Sequence, residues 1–172
     1  MHGMRITRRR FLFATAAGAA ALWLPRRVLG DEAAPRAALQ GALATSPLIY
    51  VSPLGKDGGE STCHGEVWFV AEGGDVLVVT AADRWKAKAI AAGRDGARLW
   101  VGDFGVWTRA EGKWRTAPVF DARAAFEKDP AAHERALEAF GKKYPAEWGK
   151  WGPRFRDGLA DGSRVMIRYR GE

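Results

Sequence analysis

The chain has 172 residues, 47% of them hydrophobic and 27% charged, and its formal net charge is +7. Six of its arginines lie in the first thirty positions, where no acidic residue occurs, so the rest of the chain holds 21 basic against 20 acidic residues, a net of +1. A nucleic-acid-binding protein needs a surplus of Lys and Arg to neutralise phosphates. We therefore expect no nucleic-acid partner, and the apolar content excludes a disordered chain.

Residues 1–30 have the layout of an export signal, with a basic end, an apolar stretch from Phe11 to Leu24 and a short exit region. Fourteen apolar residues would span only ~21 Å as a helix, against the roughly 30 Å of a bilayer core. We therefore expect no stable membrane anchor. A short amphipathic or buried helix is the alternative.

The segment Thr7-Arg8-Arg9-Arg10-Phe11-Leu12 resembles the twin-arginine consensus. The resemblance implies that the twin-arginine translocase exports the folded protein, which would then be periplasmic or secreted. Cleavage is predicted after Gly30, or alternatively within residues 32–34.

Residues 31–46 are predicted to be a tether or a loose helix around Ala37 to Ala44, followed by one domain over residues 47–172. Cys63 is the single cysteine of the chain, so no internal disulfide can stabilise this domain. We predict a small buried residue at Cys63, with a reactive or intermolecular thiol as the alternative.

The first half of the domain has the pattern of strands and tight turns. The predicted strands are residues 48–52, 61–71 and 76–80, with a hairpin turn at Gly73-Gly74 between the last two. The third strand is almost entirely apolar, which indicates burial on both faces. Asp83 is predicted to cap a helix over residues 84–92.

The second half returns to strands and adds two helices. A fourth strand over residues 97–102 precedes a turn at Glu111-Gly112, and alternation over residues 120–126 predicts another strand. Asp129-Pro130 begins a helix, a second short helix follows Pro145, and residues 164–170 form a closing strand. The pattern predicts a mainly β fold with α, about six antiparallel strands in a small barrel with rim helices; a sandwich is the alternative.

One stretch combines a buried strand end with clustered cations. Thr80 ends the apolar strand, and Arg84, Lys86 and Lys88 follow at the start of the helix. Helix N-terminal N–H groups and cations together favour phosphate binding. A solvated basic helix face is the alternative.

The region from Ile49 to Val101 resembles the FMN-binding split barrel superfamily, which includes pyridoxamine 5′-phosphate oxidase and the deazaflavin-dependent reductases. It departs from the family pattern at Arg84, Glu66 and Gly93-Arg94, where Ser, Pro and Asn-Pro are common. The stretches that carry the resemblance are Lys56-Asp57-Gly58-Gly59, Glu66-Val67-Trp68-Phe69, Gly73-Gly74, Val79-Thr80 and Arg84-Trp85-Lys86-Ala87-Lys88-Ala89-Ile90.

The resemblance implies a small antiparallel split β-barrel that binds FMN, or alternatively a deazaflavin, and acts as an oxidoreductase on a small molecule. It also implies a homodimer. Lys86 would be the main contact of the cofactor phosphate, with Lys88 and Thr80 beside it and Arg84 and Trp85 in the same segment. A further set, Val67, Trp68 and Phe69, would line the flavin or deazaflavin ring. No catalytic residue is indicated.

His64 is the other residue of interest, since some haem-binding relatives of this barrel ligate iron through histidine. No further ligands at metal spacing lie near it, so we expect a structural imidazole and no metal site. A non-catalytic ligand- or haem-binding protein of the same fold is the alternative function, with His64 as a weak candidate ligand. Trp148, Trp151 and Tyr144 could stack on a ligand, but core packing is the default for them. A further alternative is that the protein's own side chains fill the pocket and that it binds no cofactor.

Overall fold

A computed structural model describes residues 33–172, so the predicted export signal and its cleavage site lie outside the described residues. Four α-helices and seven strands occur in this part of the chain. The helices are α1 (Ala33–Thr45), α2 (Trp85–Ala91), α3 (Pro130–Lys143) and α4 (Pro145–Asp161). The strands are β1 (Leu48–Pro53), β2 (Gly65–Val67), β3 (Val70–Glu72), β4 (Asp75–Ala81), β5 (Gly96–Gly102), β6 (Val119–Glu127) and β7 (Arg164–Gly171).

The strands form one antiparallel sheet in the order β2-β1-β5-β6-β7-β4-β3. Strands β2 and β3 are neighbours in sequence but lie at opposite edges of this sheet. Only Trp68 and Phe69 connect them, so the sheet must curl until its two edges meet. This geometry is a split barrel, and the predicted mainly β fold with rim helices is confirmed.

The barrel interior is apolar, and its side chains come from all the long strands. Strand β4 is buried from Val76 to Thr80, as its composition predicts, because one face points into the barrel and the other packs under α3 and α4. The interior cluster includes Ile49, Val51, Phe69, Val76, Val78, Leu99, Val101 and Ile167. Burial of these side chains is the main source of stability.

The hairpin of α3 and α4 closes one side of the barrel, and the Trp148 side chain packs between the two helices. A Cβ added at Gly141 or Gly152 would lie within 3.0 Å of the Trp148 indole. The two glycines therefore provide the slot in which this ring packs. Asp129 caps α3 through the backbone N–H groups of Ala131 and Ala132, as predicted.

Tyr144 forms hydrogen bonds with backbone groups at the place where the barrel is split. Its hydroxyl accepts a hydrogen bond from the N–H of Phe69 at 3.0 Å and lies 2.8 Å from the carbonyl oxygen of the same residue. The Pro47 carbonyl oxygen lies 2.9 Å away. Backbone groups at the crossing between β2 and β3 have no ladder partner, so this hydroxyl takes the place of a neighbouring strand.

Several sequence predictions were wrong in detail. Residues 61–71 are not one strand, because the chain leaves one sheet edge at Val67 and joins the other at Val70. Arg84 occupies the cap position of α2, and its side chain makes no capping bond, so Asp83 is not the cap. The second helix is not short: α4 runs for 17 residues and contains Pro153. Cys63 is exposed rather than buried.

Residues 33–45 form a continuous helix, which agrees with the helical alternative for this segment. Leu43 is buried in the barrel cluster, and Leu39 and Ala42 pack against it. No helix between residues 33 and 172 has both the length and the apolar character that crossing a membrane requires.

Candidate functional site

A cavity of about 530 Å³ opens beside the split of the barrel. Its wall combines residues of β1, β2, β4, α4 and the start of β7 with the loop that follows β5. The lining residues are Leu48, Glu66, Val67, Trp68, Val79, Gly105, Val106, Trp151, Phe155 and Arg164. Most of them are apolar, and Glu66 and Arg164 supply the charged groups. This volume and composition are typical of small-molecule sites.

Aromatic rings form the side of the cavity next to the split. Trp68 stacks on Tyr144 with ring centroids 4.4 Å apart and planes 5° from parallel. Trp151 meets Trp68 edge to face at 6.1 Å and packs against Phe155 at 6.0 Å. Because Tyr144 is itself fixed by hydrogen bonds to Phe69, the Trp68 ring has a rigid support.

Glu66 is held in place by the loop that follows β5. One oxygen of its carboxylate accepts a hydrogen bond from the backbone N–H of Trp107 at 3.1 Å. The same loop is anchored by Tyr50, whose hydroxyl accepts from the N–H of Phe104 and donates to the carbonyl of Gly105, both at 2.8 Å. The loop therefore sets the position of one cavity wall.

Among the described residues that line the cavity, Arg164 has the one cationic side chain. It is the first residue of β7 and pairs across the sheet with Ala81, at the end of β4. Its guanidinium lies 5.8 Å from the ring centroid of Trp151 and 5.5 Å from that of Phe155. Both distances are within the range of cation–π attraction.

The three residues predicted to line the cofactor ring do not all lie at the cavity. Val67 and Trp68 line the cavity, and their contact with a cofactor ring stays a prediction. Phe69 is fully buried in the barrel interior, and the Lys143 ammonium lies 3.3 Å from the centroid of its ring. Burial lowers the pKa of Lys143 to about 8.

The predicted phosphate-binding residues do not line this cavity. Thr80 is buried at the end of β4, while Arg84 and Lys88 are exposed on and beside α2. Trp85 packs against the barrel cluster. The structure thus places Val67 and Trp68 at the cavity and the basic segment outside its lining.

Lys86 is nevertheless unusual, because it is buried with 8% of its surface exposed. Its ammonium lies 4.2 Å from the centroid of the Trp85 ring, and a Cβ at Gly65 would approach it to 3.2 Å. No described carboxylate forms an ion pair with it. Burial lowers the pKa of Lys86 to about 8, the Glu66 carboxylate opposes this shift, and the Arg84 cation adds to it.

His64 lies in an aromatic cluster away from the cavity lining. Its ring is 5.6 Å from that of Trp107 and 5.3 Å from that of Trp114, and its Nε2 is 3.4 Å from the Arg115 guanidinium. Nδ1 is buried and has no hydrogen-bond partner among the described residues. Burial and the Arg115 cation lower the pKa of His64, while Glu60 opposes the shift, so the imidazole is predominantly neutral at neutral pH.

Sequence reasoning missed the contribution of the closing strand and of the loop after β5. Arg164 reaches the cavity only because β7 pairs with β4, which no local pattern reveals. Trp151 has helical spacing that favours the core, yet it lines the cavity. Gly105 and Val106 carried no recognisable signal.

No family model matches the chain, and no curated protein matches it. Solved structures do match. A haem storage protein from Vibrio cholerae is 15% identical with a TM-score of 0.52, covering 78% of this chain and 87% of its own. A conserved hypothetical protein from Mycobacterium tuberculosis is 16% identical with a TM-score of 0.54, covering 79% of both chains.

A candidate pyridoxamine 5′-phosphate oxidase from Listeria innocua is 14% identical with a TM-score of 0.50, and the match covers 78% of this chain and 90% of that one. Identities this low show the fold alone. The chain therefore has the split-barrel fold of the pyridoxamine 5′-phosphate oxidase-like proteins.

Proposed function

We propose that this protein is an exported split-barrel protein that binds FMN or a deazaflavin and acts as an oxidoreductase on a small molecule. The observation that carries the proposal is the cavity beside the split, with Val67 and Trp68 in its wall. These are two of the three side chains that the family resemblance assigns to the cofactor ring. The twin-arginine-like signal supports export, and export of a folded protein allows a cofactor to be bound beforehand.

The cavity residues fit a planar redox cofactor. Trp68 presents an aromatic side chain held by a stacked tyrosine, and the apolar walls would exclude water from one side of a ring. A bound flavin or deazaflavin supplies the hydride or electron chemistry, and the protein supplies binding and orientation. Trp68 and Val67 would contact the ring, and Glu66, fixed by the N–H of Trp107, would be a polar contact at its edge.

The cofactor phosphate requires cations, and Lys86 is a buried cation of the basic segment that forms no ion pair with a described carboxylate. Lys86, with Lys88 and Thr80 beside it, stays the contact proposed from the resemblance. Its buried ammonium lacks an ion pair among the described residues, so an anion would offset its desolvation. We also propose a homodimer, since split barrels usually build the cofactor site from two chains.

A haem-binding function fits this cavity less well. Haem iron takes His, Cys, Met or Tyr as its protein ligand, and none of the described residues that line the cavity is of these types. His64 lies in the aromatic cluster instead, with its Nε2 facing Arg115. The absorption spectrum of the purified protein separates the alternatives, because flavin, deazaflavin and haem absorb at different wavelengths.

A cavity-filling substitution tests the site. Val106 and Val119 are both 47% exposed, but only Val106 lines the cavity. Val106→Trp should fill part of the cavity and weaken FMN binding at least about tenfold, whereas Val119→Trp should leave FMN binding unchanged. Equal FMN affinity in the two variants and the unmodified protein, measured by titration of flavin fluorescence, would remove the cavity from the proposal.

Export is tested separately from the site. Replacing Arg8 and Arg9 together by Lys should abolish transport by the twin-arginine translocase, whereas the same change at Arg26 and Arg27 should not. Normal export of the first variant would contradict the export proposal and leave the cavity untouched.

A further inference from the structure

Arg164 is placed where two features of the barrel meet. It begins β7, lies opposite Ala81 at the end of β4, and lines the cavity together with Val79 of β4. The sequence directs attention to the same strand end through Thr80 and the cations that follow it. The closing strand therefore adds a guanidinium to the cavity wall beside the end of β4, whereas Thr80 and the cations that follow it do not line this cavity.

The side chain of Arg164 is held rather than free. Its stem crosses α4 at Gly158, where an added Cβ would lie 2.7 Å from both Cγ and Cδ. The head group rests near the Trp151 and Phe155 rings. A glycine on the helix and two aromatic rings thus fix where the charge sits.

This guanidinium makes no side-chain hydrogen bond or ion pair with the described residues, although the two aromatic rings hold it in place. No described carboxylate forms an ion pair with it, whereas Arg168 and Arg170 on the same strand both pair with Asp75. An arginine next to an apolar cavity is desolvated in part, and leaving its five N–H donors without an acceptor costs free energy. Carboxylate and phosphate are the groups whose geometry matches a guanidinium best.

We propose that Arg164 is the anion-binding residue of the cavity and that its ligand joins a planar ring to a carboxylate or phosphate group. The inference deepens the proposed function and rests on it for the cavity's role. The anion has two sources, the phosphate of the cofactor or an acidic group of the small-molecule substrate. In both cases the ring lies against Trp68 and the anion lies at Arg164.

Two pairs of probes distinguish these sources. FMN and riboflavin share a ring and differ in the phosphate, and benzoate and benzyl alcohol differ in the carboxylate. Each probe is titrated into the full-length protein, Arg164→Gln and the control Arg170→Gln, which alters an arginine of the same strand outside the cavity. Circular dichroism establishes that the variants are folded.

We expect Arg164→Gln to weaken the anionic member of at least one pair by about tenfold to a hundredfold, which is the usual worth of a charged hydrogen bond. A loss confined to FMN assigns the cofactor phosphate, and a loss confined to benzoate assigns a substrate anion. Arg170→Gln should change neither the affinity for FMN nor the affinity for benzoate. Unchanged affinity for FMN and benzoate in Arg164→Gln overturns the proposal.

Gly158→Ala provides a second test that keeps every charge. The added methyl group collides with the Arg164 stem, so the guanidinium must move and the same anionic probe should bind more weakly. Failure of FMN and riboflavin to bind any variant, with benzoate binding still dependent on Arg164, would end the redox proposal but not this one. Full affinity in Gly158→Ala would contradict the claim that α4 positions the anion site.

Discussion

Arg168 and Arg164 lie four residues apart on β7 and have opposite surroundings. Arg168 is buried, and its guanidinium bonds the carboxylates of Glu72, Asp75 and Glu127 at 2.6 to 3.1 Å. Burial by itself lowers the pKa of Arg168, but the three carboxylates outweigh it and raise the pKa above its usual value. Arg164 meets an apolar cavity and two aromatic rings instead.

Arg168 is a charge neutralised within the fold, whereas Arg164 and Lys86 are charges that form no ion pair with a described carboxylate. The acidic partners of Arg168 come from β3, β4 and β6, so one side chain ties three strands. Lys86 belongs with Arg164, because burial costs it solvation and no described carboxylate forms an ion pair with it. Desolvated ionisable groups of this kind cluster at functional sites in proteins.

The largest expected effect is on Arg168. Among the described residues, Arg168→Met leaves Glu127 without a cationic partner and leaves Glu72 and Asp75 with only the exposed Arg135 and Arg170. We expect a loss of about 3 kcal/mol in the free energy of unfolding measured in urea at pH 7. Arg164→Met, with no ion pair to break, should change stability by less than about 1 kcal/mol. Equal destabilisation by the two substitutions would erase the distinction between the two arginines.

A smaller effect is expected where the barrel is split. Tyr144→Phe removes the hydroxyl that bonds the N–H of Phe69, and a buried group left without its partner costs about 1–3 kcal/mol. Burial raises the pKa of Tyr144, with the bond from Phe69 opposing it, so the hydroxyl stays protonated. Tyr50→Phe, which frees groups of an exposed loop, is the matched control and should cost less in thermal unfolding.

The smallest expected effect is a gain in stability on replacing Lys86. Lys86→Met removes a buried ammonium and should stabilise the protein by roughly 1–2 kcal/mol at pH 7, whereas Lys88→Met on the exposed face should have no effect. The folded pKa of about 8 lies below the unfolded value of 10.5. The unfolded chain therefore binds the extra proton between these values, and the unmodified protein gains stability as pH rises through that window.

The gain in stability of Lys86→Met over the unmodified protein should accordingly shrink from pH 8 to pH 10.5. Comparing the variant with the unmodified protein at each pH removes the contribution of Lys143, which titrates in the same range. A difference that stays constant over this window would show that the ammonium is already paired or solvated.

Most of the barrel could be predicted from the sequence, because β1, β4, β5 and β7 have strong apolar or alternating patterns. The split could not. Residues 61–71 are continuously compatible with a strand, and only the closure of the sheet forces the chain to cross at Trp68 and Phe69. Asp83 was one position from the cap because the turn after β4 is set by the pairing of Ala82 with Ser163, a long-range hydrogen bond.

The residues of the candidate site could be anticipated only where they follow a local motif, and their role toward a cofactor stays a prediction. Val67 and Trp68 were found through a local motif, and both line the cavity. Arg164 was missed, because it reaches the cavity from the far end of the sequence through its pairing with β4. The roles of Lys86, Lys88, Thr80 and Arg84 toward phosphate stay predictions.

A crystal structure of the protein grown with FMN tests the central claim most directly. We expect ring density against Trp68 inside the cavity, with the phosphate bonded to Arg164 or to Lys86. A cavity closed by the Trp151 indole, or a flavin bound only elsewhere on the molecule, would contradict it.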